Sequence, residues 1–315
     1  LKDSPHNQEA TNGLLALDLG KDQLRPPKAQ IQSAVSLINN GQAQEALVTV
    51  EALIKDFPDE QLLFNISGVC YKAIGQLNEA VKSFEKALSI KPDYAEAQYN
   101  LGVVLRELGQ VDAAIRCYEN ALASKHAYPN AHNNLGNIFL ELRQLEAALD
   151  HFEWAVAFKP DFAEAHNNIG VTLQELMRLD ESIKSYEKAV TYKPDYAEAH
   201  NNLGVTLQEL GQLDEAVANY QKALSIKPDS AETHFNLGIA LEDQGDGAGS
   251  AAHFDQALSF KPEMDGWRVR KALFLPPIPS SSETISLCRK TFGETVVSLR
   301  SRNLAVENPV DDVGV

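Results

Sequence analysis

The chain is short of the residues that usually announce chemistry. Of 315 residues, only two are tryptophan, two methionine and three cysteine. Cys70, Cys117 and Cys288 stand far apart without CxxC spacing, which argues against a thiolate metal site or a disulfide framework. They read as small buried hydrophobes in a reducing compartment, so the sequon Asn65-Ile66-Ser67 carries no weight. Long apolar runs are missing too. No stretch of about 18 apolar residues exists, so no transmembrane helix and no membrane partner are expected. The opening LKDSPHNQEA lacks a charged-then-apolar signal, and a start at Leu1 rather than Met reads as processed or truncated. Positive charge is scarce: Lys and Arg number 28 against 44 Asp and Glu, giving a net charge of −16. Phosphate backbones require clustered cations, so nucleic acid is a poor partner and a basic or neutral polypeptide a better one. No G-x-x-x-x-G-K-S/T loop and no assignable Ser-His-Asp or Cys-His set occurs. Neither enzyme activity nor a cofactor is therefore expected of this chain, and a cytoplasmic, intracellular setting is.

What is present is a period. Pro58, Pro92, Pro160, Pro194, Pro228 and Pro262 lie on one 34-residue ladder, with His126 on the missing rung. Gly68, Gly102, Gly136, Gly170, Gly204 and Gly238 form a second ladder, and Gly41, Gly75, Gly109, Gly211 and Gly245 a third. Seven units follow: 27–60, 61–94, 95–128, 129–162, 163–196, 197–230 and 231–264. Each reads as two helices. The proline ends one helix because it has no N–H and its ring clashes with the preceding turn. Asp93, Asp161, Asp195 and Asp229, three residues before Glu96, Glu164, Glu198 and Glu232, have the spacing of an N-terminal cap. The third glycine ladder supplies a left-handed residue to close the first helix. Gly204 is expected to let a neighbouring helix approach at Ala216 and Ala223.

Leu203-Gly204, Leu207, Ala216, Tyr220, Ala223 and Pro228, with their equivalents in the other units, resemble the tetratricopeptide repeat. The resemblance covers about three quarters of the chain. It implies an all-α fold, a right-handed superhelical solenoid of antiparallel helix pairs whose first helices line a concave groove. Residues 1–26 form an arm before the repeats, poorly structured or partly helical. Residues 265–315 form a helical cap or linker that could lead to a further domain. Within it, Ser280 to Glu283 has capping-box spacing, and Ile285, Cys288, Phe292, Val296 and Leu299 form an apolar stripe.

Counting Ala197 as position 1 of its unit, positions 2, 6, 9 and 13 share a stripe on the first helix, where the family holds ligands. Position 6 gives Asn100, Asn134, Asn168, Asn202 and Asn236. Position 5 adds Asn65, Asn133, Asn167 and Asn201, and position 13 gives Glu107, Glu141, Glu175, Glu209 and Asp243. Asn costs about 0.5 kcal/mol relative to Ala inside a helix, so the ladder needs a reason. One reading is structural, amides bonding between neighbouring helices. The other is a peptide clamp, since a carboxamide offers an acceptor and two donors. Helices about 8–10 Å apart would meet an extended chain, rising about 3.3 Å per residue, at roughly every third residue. Both readings can hold together. The candidate peptide-binding set is Asn100, Asn133, Asn134, Asn167, Asn168, Asn201, Asn202 and Asn236, with Glu107, Glu141, Glu175 and Glu209.

The phrase AEAHNNLG is similar to the repeat arm of nucleocytoplasmic O-GlcNAc transferases and their SPINDLY relatives. That likeness implies a substrate-recruiting arm for a glycosyltransferase whose catalytic half lies outside this sequence. His132, His166, His200 and His234 occupy position 4, too far apart to share a zinc ion at about 2 Å per bond, and read as packing residues. His6, His126, His151 and His253 have no partner of recognisable spacing. Three departures stand out. KHAYPN (125–130) loses the Pro-Asp start, Arg143 and Met177 replace the closing glycine, and Trp154 stands where other units have Lys or Gln. A solenoid end or convex face leaves room for a homodimer.

Overall fold

Helix after helix closes in the same way. The computed structural model describes residues 25–273 and Lys290. Among them are fifteen α-helices and no strand, in consecutive antiparallel pairs packed in the manner of a TPR solenoid. In the first unit, Leu1–Pro160, α1 (Lys28–Asn39) pairs with α2 (Ala43–Asp56) and α3 (Gln61–Ala73) with α4 (Leu77–Ile90). There too α5 (Ala95–Glu107) pairs with α6 (Val111–Ser124) and α7 (Pro129–Glu141) with α8 (Leu145–Phe158). The second unit, Asp161–Val315, holds α9 (Ala163–Glu175) with α10 (Leu179–Tyr192), α11 (Ala197–Glu209) with α12 (Leu213–Ile226), and α13 (Ala231–Asp243) with α14 (Gly247–Phe260). It also contains α15 (Asp265–Leu273). The stripe from Ser280 to Leu299 lies outside the described residues.

The turn inside each pair needs a left-handed residue. Gly75 and Gly211 take φ of 78° and 74°, which costs glycine nothing. Arg143 and Met177 adopt the same turn at 59° and 60°, so the geometry survives the loss of glycine and the two side chains bear the strain.

The turn between pairs departs from the expected cap. The first helices begin at Ala95, Ala163 and Ala197, with Tyr94, Phe162 and Tyr196 at the N-cap and no side-chain capping bond. Asp93, Asp161 and Asp195 sit one residue too early and stay exposed. The N-cap place is given instead to a ring that is buried in Tyr94 and Phe162. Ser230 does cap its helix, its Oγ accepting from the Thr233 N–H, and in the turn inside the same pair Asp246 Oδ1 accepts from the Gly249 N–H at 3.0 Å. In the KHAYPN stretch, Pro129 takes the first helical position of α7, where its missing N–H is no loss.

The core of six of the seven pairs is a glycine beneath an aromatic ring. A Cβ on Gly136 would lie 2.6 Å from Phe152, and one on Gly204 would lie 2.7 Å from Tyr220. The same contact joins Gly68 to Phe84 and Gly102 to Tyr118, and in the second unit Gly170 to Tyr186 and Gly238 to Phe254. Gly204 therefore admits the Tyr220 ring rather than a bare helix; Ala216 packs in the same buried cluster as that ring, and Ala223 is buried as well. In the first pair, Ala34 and Val50 fill the two places with smaller groups, both fully buried. At the far end of the second unit, Trp267 of α15 stacks on Phe235 at 4.6 Å, and Arg270 pairs with Glu242.

Candidate functional site

The asparagine ladder is a run of bonds between successive repeats. In the first unit, Asn100 Nδ2 donates to Asn65 Oδ1 at 3.0 Å, and Asn134 Nδ2 donates to the hydroxyls of Tyr99 and Tyr118, each at 3.3 Å. In the second, Asn202 Nδ2 donates to Asn167 Oδ1 and Asn236 Nδ2 to Asn201 Oδ1, both at 3.2 Å. Position 6 thus reaches position 5 of the repeat before it, 35 residues away. Tyr99 is the substitute where position 5 is not Asn. Asn133 and Asn167 are buried, at 4% and 1% exposure. Asn100, Asn134, Asn168, Asn201, Asn202 and Asn236 are half-buried. A carboxamide has two N–H groups and one oxygen. One N–H of Asn100 or Asn236 ties the side chain to the first helix of the preceding repeat, while the residue itself stays half-buried.

The acidic rail is stitched with the same 35-residue step. In the first unit, Lys72 pairs with Glu107 at 3.0 Å, and Arg106 pairs with Glu141. In the second, Gln174 Nε2 donates to Glu209 at 2.7 Å and Gln208 Nε2 to Asp243 at 2.8 Å. Glu107, Glu141, Glu175 and Glu209 are all exposed. The rail of the first unit is thus paired with cations at Glu107 and Glu141, whereas Glu209 and Asp243 accept from neutral amides. Each glutamine is aimed by a tyrosine from below: Tyr186 Oη donates to Gln174 Oε1 at 3.3 Å and Tyr220 Oη to Gln208 Oε1 at 3.0 Å. Burial pushes both phenols up, so they remain donors at any ordinary pH. Position 12 escaped the sequence reading. Its signal was the Gln at 174 and 208, one residue before the acidic rung. At position 2, Glu96, Glu164 and Glu232 are tied to Lys125, Lys193 and Lys261 of their own repeats at 3.1, 3.0 and 2.7 Å.

Position 4 has a structural task. Gln98 Nε2 donates to the Pro92 carbonyl at 2.7 Å, and His200 and His234 bring Nε2 to the carbonyls of Pro194 and Pro228 at 3.2 and 3.1 Å. The side chain serves the carbonyl of the proline that ended the helix before. The other ring nitrogen meets the second helix. His132 and His151 place their Nδ1 atoms 3.1 Å apart, His234 and His253 theirs 2.9 Å apart, and His200 Nδ1 lies 3.2 Å from Asn219 Oδ1. His151 and His253 thus do have partners, at a spacing of 19 that joins positions 4 and 23 of one repeat. His166 stacks instead on Tyr192 at 5.5 Å. Burial, with the neighbouring His151 second, brings the His132 pKa down to about 4; burial also lowers His151 and His253. Among the described residues, no three His, Cys, Asp or Glu side chains gather in a metal-holding group, and no helix is long and apolar enough to cross a membrane.

A family model described as TPR repeat matches residues 70–109, 104–143, 136–176, 178–211 and 207–245, more than half of the chain. The chain belongs to the TPR-repeat family. Solved TPR structures share its fold. YrrB, described as a TPR protein with an unusual peptide-binding site, is 21% identical, with a TM-score of 0.51 over 58% of this chain and 94% of its own. The pilF protein of Pseudomonas aeruginosa is 19% identical, with a TM-score of 0.59 over 65% and 93%. The Cut9–Hcn1 assembly of the APC/C is 17% identical, with a TM-score of 0.59 over 83% of this chain and 48% of that one. At such identities the likeness is one of fold. No curated protein matches the chain. Within the TPR family, the task of this chain therefore rests on its own residues.

Proposed function

We propose that the chain is a protein–protein interaction scaffold that holds an extended polypeptide along the first-helix stripe. Asn100, Asn134, Asn168, Asn202 and Asn236 would contact the peptide backbone, and the rail of Glu107, Glu141, Glu175 and Glu209 would favour basic or neutral segments. The observation that carries this reading is the way position 6 is held. In Asn100 and Asn236 one N–H is spent on the preceding repeat, so the rest of the amide is oriented before any ligand arrives. Pre-orientation lowers the entropy lost on binding. Backbone contact without side-chain readout makes the scaffold permissive, and Glu209 and Asp243, bonded to neutral amides, add a bias toward cationic residues. YrrB, a TPR protein described by its peptide-binding site, supports the class of ligand. Asn134, Asn168 and Asn202 changed together to Ala should lose capture of basic and neutral peptides on an array while the helical fold persists.

A second reading makes the chain a substrate-recruiting arm of a SPINDLY-like glycosyltransferase. What supports it is the likeness of the AEAHNN phrase in helices α9 and α11 to the repeat arm of that family. The parent gene decides between them: a sugar-nucleotide-binding region encoded in the same polypeptide supports the arm, and its absence leaves the scaffold.

A further inference from the structure

Trp154 lies on α8, the second helix of its pair, away from the stripe that carries the asparagines. It occupies position 26, where other repeats carry Lys86, Lys188 and Lys222. Its indole is 48% exposed, yet it is not a loose surface ring. Phe158 stacks on it at 5.6 Å and 19°, His132 lies at 6.2 Å and 25°, and His126 meets it edge-on at 5.4 Å. The rings therefore hold one another in a fixed platform on the first unit. Asp150, exposed, sits one helical turn before Trp154 on the same stripe, and exposed Glu153 adjoins it.

Elsewhere the chain places its own lysines over rings. Lys86 Nζ lies 5.8 Å from the Phe64 centroid, which is position 26 over position 4. Lys125 lies 4.7 Å from Tyr128, and Lys91 lies 5.7 Å from Tyr94. In repeat 129–162 the positions of Lys86 and Phe64 are taken by Trp154 and His132, so both members are aromatic and the cation is missing. Indole gives the strongest cation–π attraction of the aromatic side chains. A planar guanidinium can stack on the ring while its N–H fork reaches a carboxylate, which an ammonium does less well.

We propose that the Trp154 platform, with Asp150 at its edge, is a docking site for an arginine-bearing segment of a partner polypeptide. The site is separate from the asparagine groove and does not rest on it.

The test uses the full-length chain, labelled with ¹⁵N, and three short peptides identical except for Arg, Lys or Leu at two central places. The chain has two tryptophans, and Trp267 is buried against Phe235. Trp154→Phe assigns the two indole N–H signals. The expected result is a saturable shift of the Trp154 signal with the Arg peptide, a weaker one with Lys, and little with Leu. Trp154→Lys, a residue the repeat already accepts at this position, should weaken Arg-peptide binding at least about tenfold. Asp150→Asn should weaken it about threefold and flatten its salt dependence. Equal melting curves establish that the variants fold. An unmoved Trp154 signal, undiminished binding by Trp154→Lys, or a stronger shift with Leu than with Arg would overturn the proposal, the last in favour of an apolar anchor.

Discussion

Gly204 shows how little room a single residue leaves in this architecture. Its hydrogen lies under the Tyr220 ring, where a methyl group would intrude to 2.7 Å. Gly204→Ala should therefore cost about 1–3 kcal/mol in urea unfolding, as overpacking does, and Tyr220→Leu in the same chain should recover part of it. A loss below about 0.5 kcal/mol would mean the ring moves freely. The position-4 histidines make a pH prediction. Folding lowers the His132 pKa from about 6.5 to about 4. Between those values the unfolded chain binds more protons, so stability is full above pH 6.5 and falls as the pH drops toward 4. His132→Gln, which copies Gln98, should flatten the fall in melting temperature between pH 7 and 4.5; an unchanged slope would remove His132 from the cause. The ladder of histidines was legible in the sequence. Its partners were not, because the 19-residue link between positions 4 and 23 depends on how the second helix is rotated against the first.

At the scale of the element, helix ends were read well in one place and poorly in another. The closing turn was legible because only glycine takes positive φ without cost, and five glycines fall on one ladder. Arg143 and Met177 hold the same turn under strain, so Arg143→Gly and Met177→Gly should each stabilise the chain by about 0.5–1 kcal/mol, less than the full left-handed penalty because glycine also loosens the unfolded state. Thermal melts of the two variants check this; a fall in melting temperature would show that the side chains earn their place through contacts. The opening turn was misread. An Asp three residues before a Glu has the spacing of a cap, but the N-cap place is needed for a ring that seals the joint between pairs. Local polar pattern lost to burial there, and Asp93, Asp161 and Asp195 were left in the turn.

At the scale of the molecule, the 34-residue period was plain, but the bonds that join one repeat to the next run at 35. Position 6 to position 5 and position 13 to position 12 both follow that step, so a scan for identical positions cannot find them. This step answers why two asparagines stand side by side: the first receives a bond from the following repeat, and the second donates one to the repeat before. In Asn100 and Asn236 the inter-repeat bond uses one N–H of the amide, and the proposed peptide contact would use the remaining groups. The measurement that tests the account most directly is the affinity of a basic peptide for the chain with Asn134, Asn168 and Asn202 replaced by Ala, taken alongside its unfolding free energy. Lost inter-repeat bonds should cost about 1 kcal/mol of stability each, and affinity should fall at least about tenfold at a temperature where the variant is fully folded. Unchanged affinity in a folded variant would contradict the account and leave the ladder a purely structural seam.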